Sequence, residues 1–278
     1  QDLPFTVQEL HFEIASRAGK MSIPGTQPKL SARLDLSGQR FEIVDLGGRF
    51  ILKPQSPVAP HLPENEDLTM RLAAAAGLET PFHGLLFCKD GSLAYFVQRF
   101  DRHGRHGKVA VEDFAQLAGK TRFEKYDSTM EQVVTIIDTF CTFPLLEKLK
   151  LFRLTIFNLL VGNDDLHLKN LSVIRREGKI ELAPVYDLVS NVLTAGDHDR
   201  DLALPLDGKR SGLTRSAIVD YFGQQLLKLP PKVIEGILGE IGKAFEPWEK
   251  LIEASFLTDD LKTASRNLLS KRRNRFGL

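Results

Sequence analysis

The chain has 278 residues, a formal net charge of +1, and 42% hydrophobic against 26% charged residues. That is enough chain to bury a sizeable core without disulfide staples, and the near-neutral balance argues against nucleic acid as a direct partner of the whole surface. Cys88 and Cys141 make neither a disulfide framework nor a CxxC pair for zinc, so they read as reduced, buried thiols of a cytoplasmic protein; no apolar stretch approaches the ~20 residues that span a bilayer, and no basic-then-apolar leader opens the chain.

Up to about residue 100 the texture is that of strands and turns. Phe41–Val44, Arg49–Lys53 and Leu93–Val97 are strand-like, and Asp45-Leu46-Gly47-Gly48 reads as a hairpin-like connection between the first two. Ahead of them, Ser22 to Lys29 is a compact polar loop with one glycine, set between strand-like flanks. Its backbone amides suit a phosphate, although it fits neither Walker nor Gly-x-Gly-x-x-Gly spacing. A helix is predicted over Asn65–Ala76, stopped by Gly77 and by Pro81. The second half is mostly helical: Val111–Leu117, Met130–Phe140, Leu145–Val161 and several segments after Ser216, the last running over Asp259–Arg275. A strand pair, Leu171–Ile174 and Lys179–Leu182, interrupts it at the turn Arg176-Glu177-Gly178. The basic run Lys271–Arg275 reads as a solvated, frayed helix end.

Chemistry concentrates in Gly162-Asn163-Asp164-Asp165-Leu166-His167-Leu168-Lys169-Asn170, a dense polar loop between an apolar helix and a strand. Phosphoryl transfer needs a carboxylate to orient the acceptor, oxygen ligands for magnesium and cations on the phosphates. Asp165 and Asn170 stand five residues apart, the spacing of a protein-kinase catalytic loop, and Asp187 lies beyond the following strand pair. Taken singly, Asp165 fits a cap or turn carboxylate and His167 a structural histidine. A non-haem metal site of His167, Asp165 and Asp187 is a further alternative. Asp164 competes with Asp165 on composition, and only the spacing to Asn170 separates them.

The first half supplies matching parts. Lys53 ends a strand and can reach phosphates, with Glu66 early in the next helix as its pair; a solvated edge lysine and a helix-start carboxylate are the plainer readings. At Gln98-Arg99-Phe100-Asp101-Arg102 the backbone of Gln98 and Phe100 suits an adenine edge and Asp101 a ribose hydroxyl, against a simple Arg–Asp turn. Two rivals stay open: a small-molecule kinase, hinted at by Asp197, Asp199 and Asp201 around His198, and a non-catalytic or co-repressor module.

Read together, Ser-x-x-Gly-x-Gln-x-Lys from Ser22, Ile-Leu-Lys-Pro at 51–54, Asn65-Glu66, Gln98 to Arg102, Glu112-Asp113-Phe114-x-Gln116, the 162–170 loop and Pro184-Val185-Tyr186-Asp187 resemble the HipA-like serine/threonine kinases. The resemblance implies an α+β, two-lobed protein-kinase-like fold, with a sheet-rich N-lobe over 1–100 and a helical C-lobe over 101–278. It implies ATP and Mg2+, with Asp165 as catalytic base and Asn170 and Asp187 as metal ligands. The ATP contacts carried over are Pro24, Gly25, Thr26, Gln27, Lys29, Lys53, Gln98, Arg99, Phe100, Asp101, His167 and Lys169. Ser22 would be the regulatory autophosphorylation site, with no second one, because Pro24 stands where some short members have serine. The short stretch before Ser22 resembles HipT-type toxins of toxin–antitoxin systems. Their expected partners are a protein substrate such as an aminoacyl-tRNA synthetase, a small protein matching the missing N-terminal subdomain, and a helix-turn-helix DNA-binding antitoxin.

Overall fold

The structure is a computed structural model that describes residues 3–17, 27–38, 40–104, 107–196 and 200–278. Ser22, Pro24, Gly25 and Thr26 of the predicted phosphate loop lie outside the described residues, as do Asp197, His198 and Asp199. The chain divides into two compact units, Gln1–Leu68 with Pro81–Lys108 and Thr69–Thr80 with Val109–Leu278.

The first unit opens with helix α1 (Val7–Arg17), followed by strands β1 (Leu30–Asp35), β2 (Arg40–Ile43) and β3 (Phe50–Pro54). Then come α2 (Leu62–Ala75), β4 (His83–Phe87), β5 (Leu93–Gln98) and the small ribbon of β6 (Arg102–His103) and β7 (Gly107–Lys108). The described segment that precedes the predicted phosphate loop, α1, is therefore a helix, not a strand. Five strands form one antiparallel sheet in the order β2-β1-β3-β5-β4. The hairpin predicted from β2 to β3 is replaced by a different pairing: both strands hydrogen-bond to β1, which lies between them. Val44 N and Arg49 N donate to Ser31 O and Ala32 O at 2.9 Å, so the connecting loop straddles β1. Gly48 is needed there, because a Cβ would fall 1.9 Å from Ser31 Oγ.

Side chains alternate along a strand, so β3 separates two environments. Phe50 and Leu52 join Leu10, Leu30, Phe41 and Phe96 in a core on the α1 side of the sheet. The ring of Phe41 meets that of Phe50 edge-on at 5.1 Å. Lys53, out of phase with them, is left on the opposite face.

In the second unit β8 (Val111–Asp113) leads into α3 (Phe114–Leu117), α4 (Met130–Phe140) and α5 (Pro144–Val161). The helix predicted over Val111–Leu117 is thus half strand. Asp113 caps α3, accepting from Gln116 N at 2.9 Å while Gln116 Oε1 accepts from Asp113 N at 2.9 Å. A helix cannot extend back through its own cap, and Val111 to Asp113 pair instead with β9 (Ser172–Arg176). β9 also pairs β10 (Lys179–Leu182) across the predicted turn, where Glu177 and Gly178 have φ of 50° and 78°.

The rest is helical: α6 (Asn191–Ala195), a π-helical segment at Ala217–Leu226, α7 (Pro231–Glu253) and α8 (Asp259–Phe276). On α7, Ile234, Ile237, Leu238, Ile241, Ala244, Trp248 and Ile252 form one buried stripe at helical spacing. Trp248 meets Phe157 of α5 edge-on and donates its Nε1–H to Leu72 O at 2.9 Å. At the end of α8 the basic run is solvent-exposed at Lys271, Arg273 and Arg275, as expected, but not at Arg272, and the helix continues through it. Arg272 is buried and bound to Asp201, and Arg275 holds both oxygens of the same carboxylate at 2.7 and 2.8 Å.

Candidate active site

In the first unit Lys53 Nζ donates to Glu66 Oε1 at 2.5 Å, with the two side chains only 2% and 1% exposed. The edge-lysine reading is excluded by that burial, since β3 is the middle strand of the sheet. Lys53 also stands 5.6 Å from the centre of the Tyr95 ring on β5. Nearby on α2, Asp67 binds His83 Nδ1 at 3.2 Å and Glu64 binds the Gln55 amide at 2.7 and 2.8 Å.

At the end of β5 two backbone amides are already committed. Gln98 N donates to Phe82 O at 2.7 Å and Arg99 N to Arg49 O at 2.8 Å. Arg99 grips Asp101 through two hydrogen bonds of 3.0 and 2.8 Å, and Arg102 binds the same carboxylate. Burial alone would raise the Asp101 pKa, but the Arg99 hydrogen bonds and the charges of both arginines outweigh it and hold the group below its ordinary value. Of the loop residues that are described, Gln27 buries an Nε2 with no partner among the described residues, and Lys29 is half-buried.

The polar loop of the second unit begins where α5 stops. Gly162 takes the left-handed conformation at φ 71°, and a Cβ there would lie 2.8 Å from Val192 Cγ2. Asn163 then braces the turn: its Nδ2 donates to Asn158 Oδ1 at 3.1 Å and its Oδ1 accepts from Asp165 N at 3.1 Å. The two adjacent aspartates diverge. Asp164 turns inward to Asn191 Nδ2 and Arg200 Nε at 2.8 and 2.9 Å. Asp165 stays 38% exposed.

Asp165 O accepts from His167 N at 2.8 Å and from the side-chain Nδ2 of Asn170 at 3.0 Å, so the five-residue spacing is a closed hydrogen-bonded loop. Asp165 Oδ1 accepts from the hydroxyl of Tyr126 at 2.5 Å, a partner the sequence did not point to. His167 is buried, its Nε2 is 3.9 Å from Asp165 Oδ2, and its Nδ1 has no partner among the described residues. Burial lowers its pKa despite the opposing pull of Asp165 and Asp187, so the ring is neutral at pH 7 and offers hydrogen bonding without charge.

Lys169, a predicted phosphate contact, donates to Asp113 Oδ2 at 2.5 Å, so the cap of α3 also anchors the 162–170 loop. Tyr186 donates to Lys169 O at 2.8 Å and meets Ser172 Oγ at 2.6 Å, fixing the residue before Asp187. Asp187 has φ 54°, a strained conformation of the kind that concentrates at working sites, and its charge reaches His167. Among the described residues no three His, Cys, Asp or Glu side chains are grouped to hold a metal ion. Asp201, the described member of the acidic hint for a cationic small molecule, is enclosed by Arg272 and Arg275 instead. No helix among the described residues is long and apolar enough to cross a membrane.

A buried strand lysine paired with a helix glutamate, and an Asp-to-Asn loop running into a strand pair, define an α+β protein of the kinase class. The family model of the HipA-like C-terminal domain matches residues 21–248, and the chain belongs to that family. A Haemophilus influenzae protein provisionally named a kinase is 30% identical over 285 residues, covering 92% of this chain and 82% of that protein. The serine/threonine-protein kinase toxin HipA of Shewanella oneidensis is 28% identical, with 81% of this chain and 59% of that protein covered. The solved Shewanella HipA, in its complex with HipB and operator DNA, has the same fold, with TM-score 0.79 at 24% identity over 100% of this chain and 72% of that one. The Helicobacter pylori proinflammatory kinase CtkA has TM-score 0.61 at 16% identity, over 81% and 86% of the two chains.

Proposed function

We propose that this chain transfers the γ-phosphoryl group of ATP to serine or threonine hydroxyls of proteins, and that it is the toxin of a toxin–antitoxin pair. The loop in which Asn170 Nδ2 holds the backbone oxygen of Asp165 carries this reading, because it leaves the Asp165 carboxylate on a fixed, accessible backbone. In the transfer the bond from the γ-phosphorus to its bridging oxygen breaks and a bond to the hydroxyl oxygen forms. The hydroxyl proton passes to Asp165, and ADP leaves.

Asn170 and Asp187 offer an amide oxygen and a carboxylate, hard donors that fit Mg2+, whose part is to neutralise the phosphate charge. With its Nδ2 committed to Asp165 O, Asn170 presents Oδ1 to a cation. In this reading Lys53, paired with Glu66, would bind the phosphates, and Lys29 and the loop residues 24–27 would share that role. Gln98 to Asp101 frame the nucleoside. His167 contributes a neutral ring, and Lys169 acts through Asp113.

Ser22 is the autophosphorylation site in this reading. The HipB and operator DNA in the Shewanella complex support an antitoxin of the DNA-binding kind for this chain. The small protein matching an N-terminal subdomain and the aminoacyl-tRNA synthetase substrate rest on family analogy. The test is incubation with γ-labelled ATP and Mg2+. Label is expected on Ser22, lost in Asp165→Asn and strongly reduced in Ser22→Ala. Label that persists in Asp165→Asn overturns the reading.

A further inference from the structure

Among the described residues Asp165 has one side-chain donor on its carboxylate, and it comes from an element that no kinase motif of the sequence includes. Tyr126 sits between the 3-10 turn Arg122–Glu124 and α4, and its hydroxyl donates to Asp165 Oδ1 at 2.5 Å. Its position is fixed from several sides. Leu168 N, within the catalytic loop, donates to Lys125 O at 3.2 Å. The Arg210 guanidinium donates to Tyr126 O at 3.3 Å. The ring of Tyr126 meets the His167 ring edge-on at 5.0 Å, and Lys125 Nζ lies 4.8 Å from the ring centre on Tyr126 itself.

The other carboxylate oxygen is placed differently. Asp165 Oδ2 faces His167 Nε2 at 3.9 Å, beyond hydrogen-bond distance. One oxygen is thus held and the other is available to a substrate hydroxyl. Burial, followed by the hydrogen bond to Asp165, raises the Tyr126 phenol far above its ordinary value, so it is a donor throughout the neutral range.

We propose that Tyr126 is a positioning residue for the phosphoryl transfer: it locks Asp165 Oδ1 and thereby turns Oδ2 to the acceptor hydroxyl. This rests on Asp165 acting as the base. A phenol at hydrogen-bond distance from a base could instead occupy the acceptor's own place and slow the enzyme. The tethers on Lys125 O and Tyr126 O favour a fixed wall of the site over a removable plug, and the two possibilities have opposite signs.

The experiment uses the full chain, γ-labelled ATP and Mg2+, and compares the wild type with Tyr126→Phe and Asp165→Asn. Initial rates of self-labelling are measured over a range of ATP concentrations, with thermal melts alongside. Tyr126→Phe keeps the ring contact with His167 and removes one oxygen. It is expected to lower the maximal rate by about 10- to 100-fold, at or below the low end of the ~10²–10⁴ supplied by a positioned acid–base group itself. The half-saturating ATP concentration and the melting temperature stay at wild-type values. A maximal rate at or above wild type overturns the proposal, the higher rate identifying the phenol as a plug. A parallel loss of ATP affinity or of thermal stability also overturns it, by marking a structural role. Label retained in Asp165→Asn would sink the kinase reading itself, separately from any result at Tyr126.

Discussion

Asp164 receives the guanidinium Nε of Arg200 at 2.9 Å, so the carboxylate beside the proposed base is a bracket for the segment that follows Asp187. The amide of Asn191, at the start of α6, fills its other oxygen at 2.8 Å. With its side chain 3% exposed, Asp164 can lose neither partner without leaving a buried polar atom unsatisfied. Two neighbouring aspartates are therefore placed unlike, one inward and bound on both oxygens, one outward and partly exposed.

The first prediction separates them. Asp164→Ala is expected to destabilise the chain by about 1–3 kcal/mol, which for a protein of this size lowers the melting temperature by roughly 2–12 °C. Asp165→Asn leaves the melt near wild type and abolishes label transfer. A melting temperature unchanged in Asp164→Ala would refute the bracket.

The second concerns Lys53 and Glu66, a pair buried in the first unit. Removing one partner strands a charge away from water, so Lys53→Met or Glu66→Leu alone should cost about 3–5 kcal/mol in denaturant unfolding. The double replacement Lys53→Met with Glu66→Leu should recover most of that stability and none of the label transfer. Recovered transfer would show that Lys53 has no part at the phosphates; single variants as stable as wild type would show that the pair is not buried in solution.

What the sequence disclosed depended on range. The strand at Leu93, the helix over Met130–Phe140 and the Asp165–Asn170 spacing are local patterns, and each stands where the periodicity put it. The spacing to Asn170 singles out Asp165 over Asp164, and the two side chains turn opposite ways, Asp164 inward to Asn191 and Arg200 and Asp165 outward. Strand order was not legible: Gly47-Gly48 signals a turn, but only the ladder places β1 between β2 and β3. Tyr126 carries no spacing signal because it reaches Asp165 across 39 residues. The burial of Arg272 carries no local signal for the same reason, its carboxylate partner lying 71 residues upstream.

That carboxylate supplies the third prediction. Burial pushes the Asp201 pKa up, but the Arg275 hydrogen bonds, the Leu213 amide and the charges of Arg275 and Arg272 pull it below the ordinary aspartate value of 3.8. A group with a depressed folded pKa stabilises above its unfolded pKa and loses that contribution as pH falls through the folded one. Stability should therefore drop on acidification below about pH 4, the unfolded aspartate range. Asp201→Asn should be less stable at pH 7 and flatter across the acid limb, read from urea midpoints between pH 7 and pH 3. Parallel curves for the two proteins would exclude Asp201 as a source of the acid sensitivity.

The last prediction tests the two thiols. Both cysteines are buried, and burial is the main reason their pKa values rise; the charge of Glu147 adds to it at Cys141, which is pushed up to about 12. Alkylation needs the thiolate and access to it, and the fold withholds both. At pH 8 iodoacetamide should modify the folded chain at neither position while labelling both within minutes in urea, as read by intact mass. Rapid modification of Cys141 in the absence of denaturant would contradict its burial at the end of α4, and with it the packing of that helix against α5.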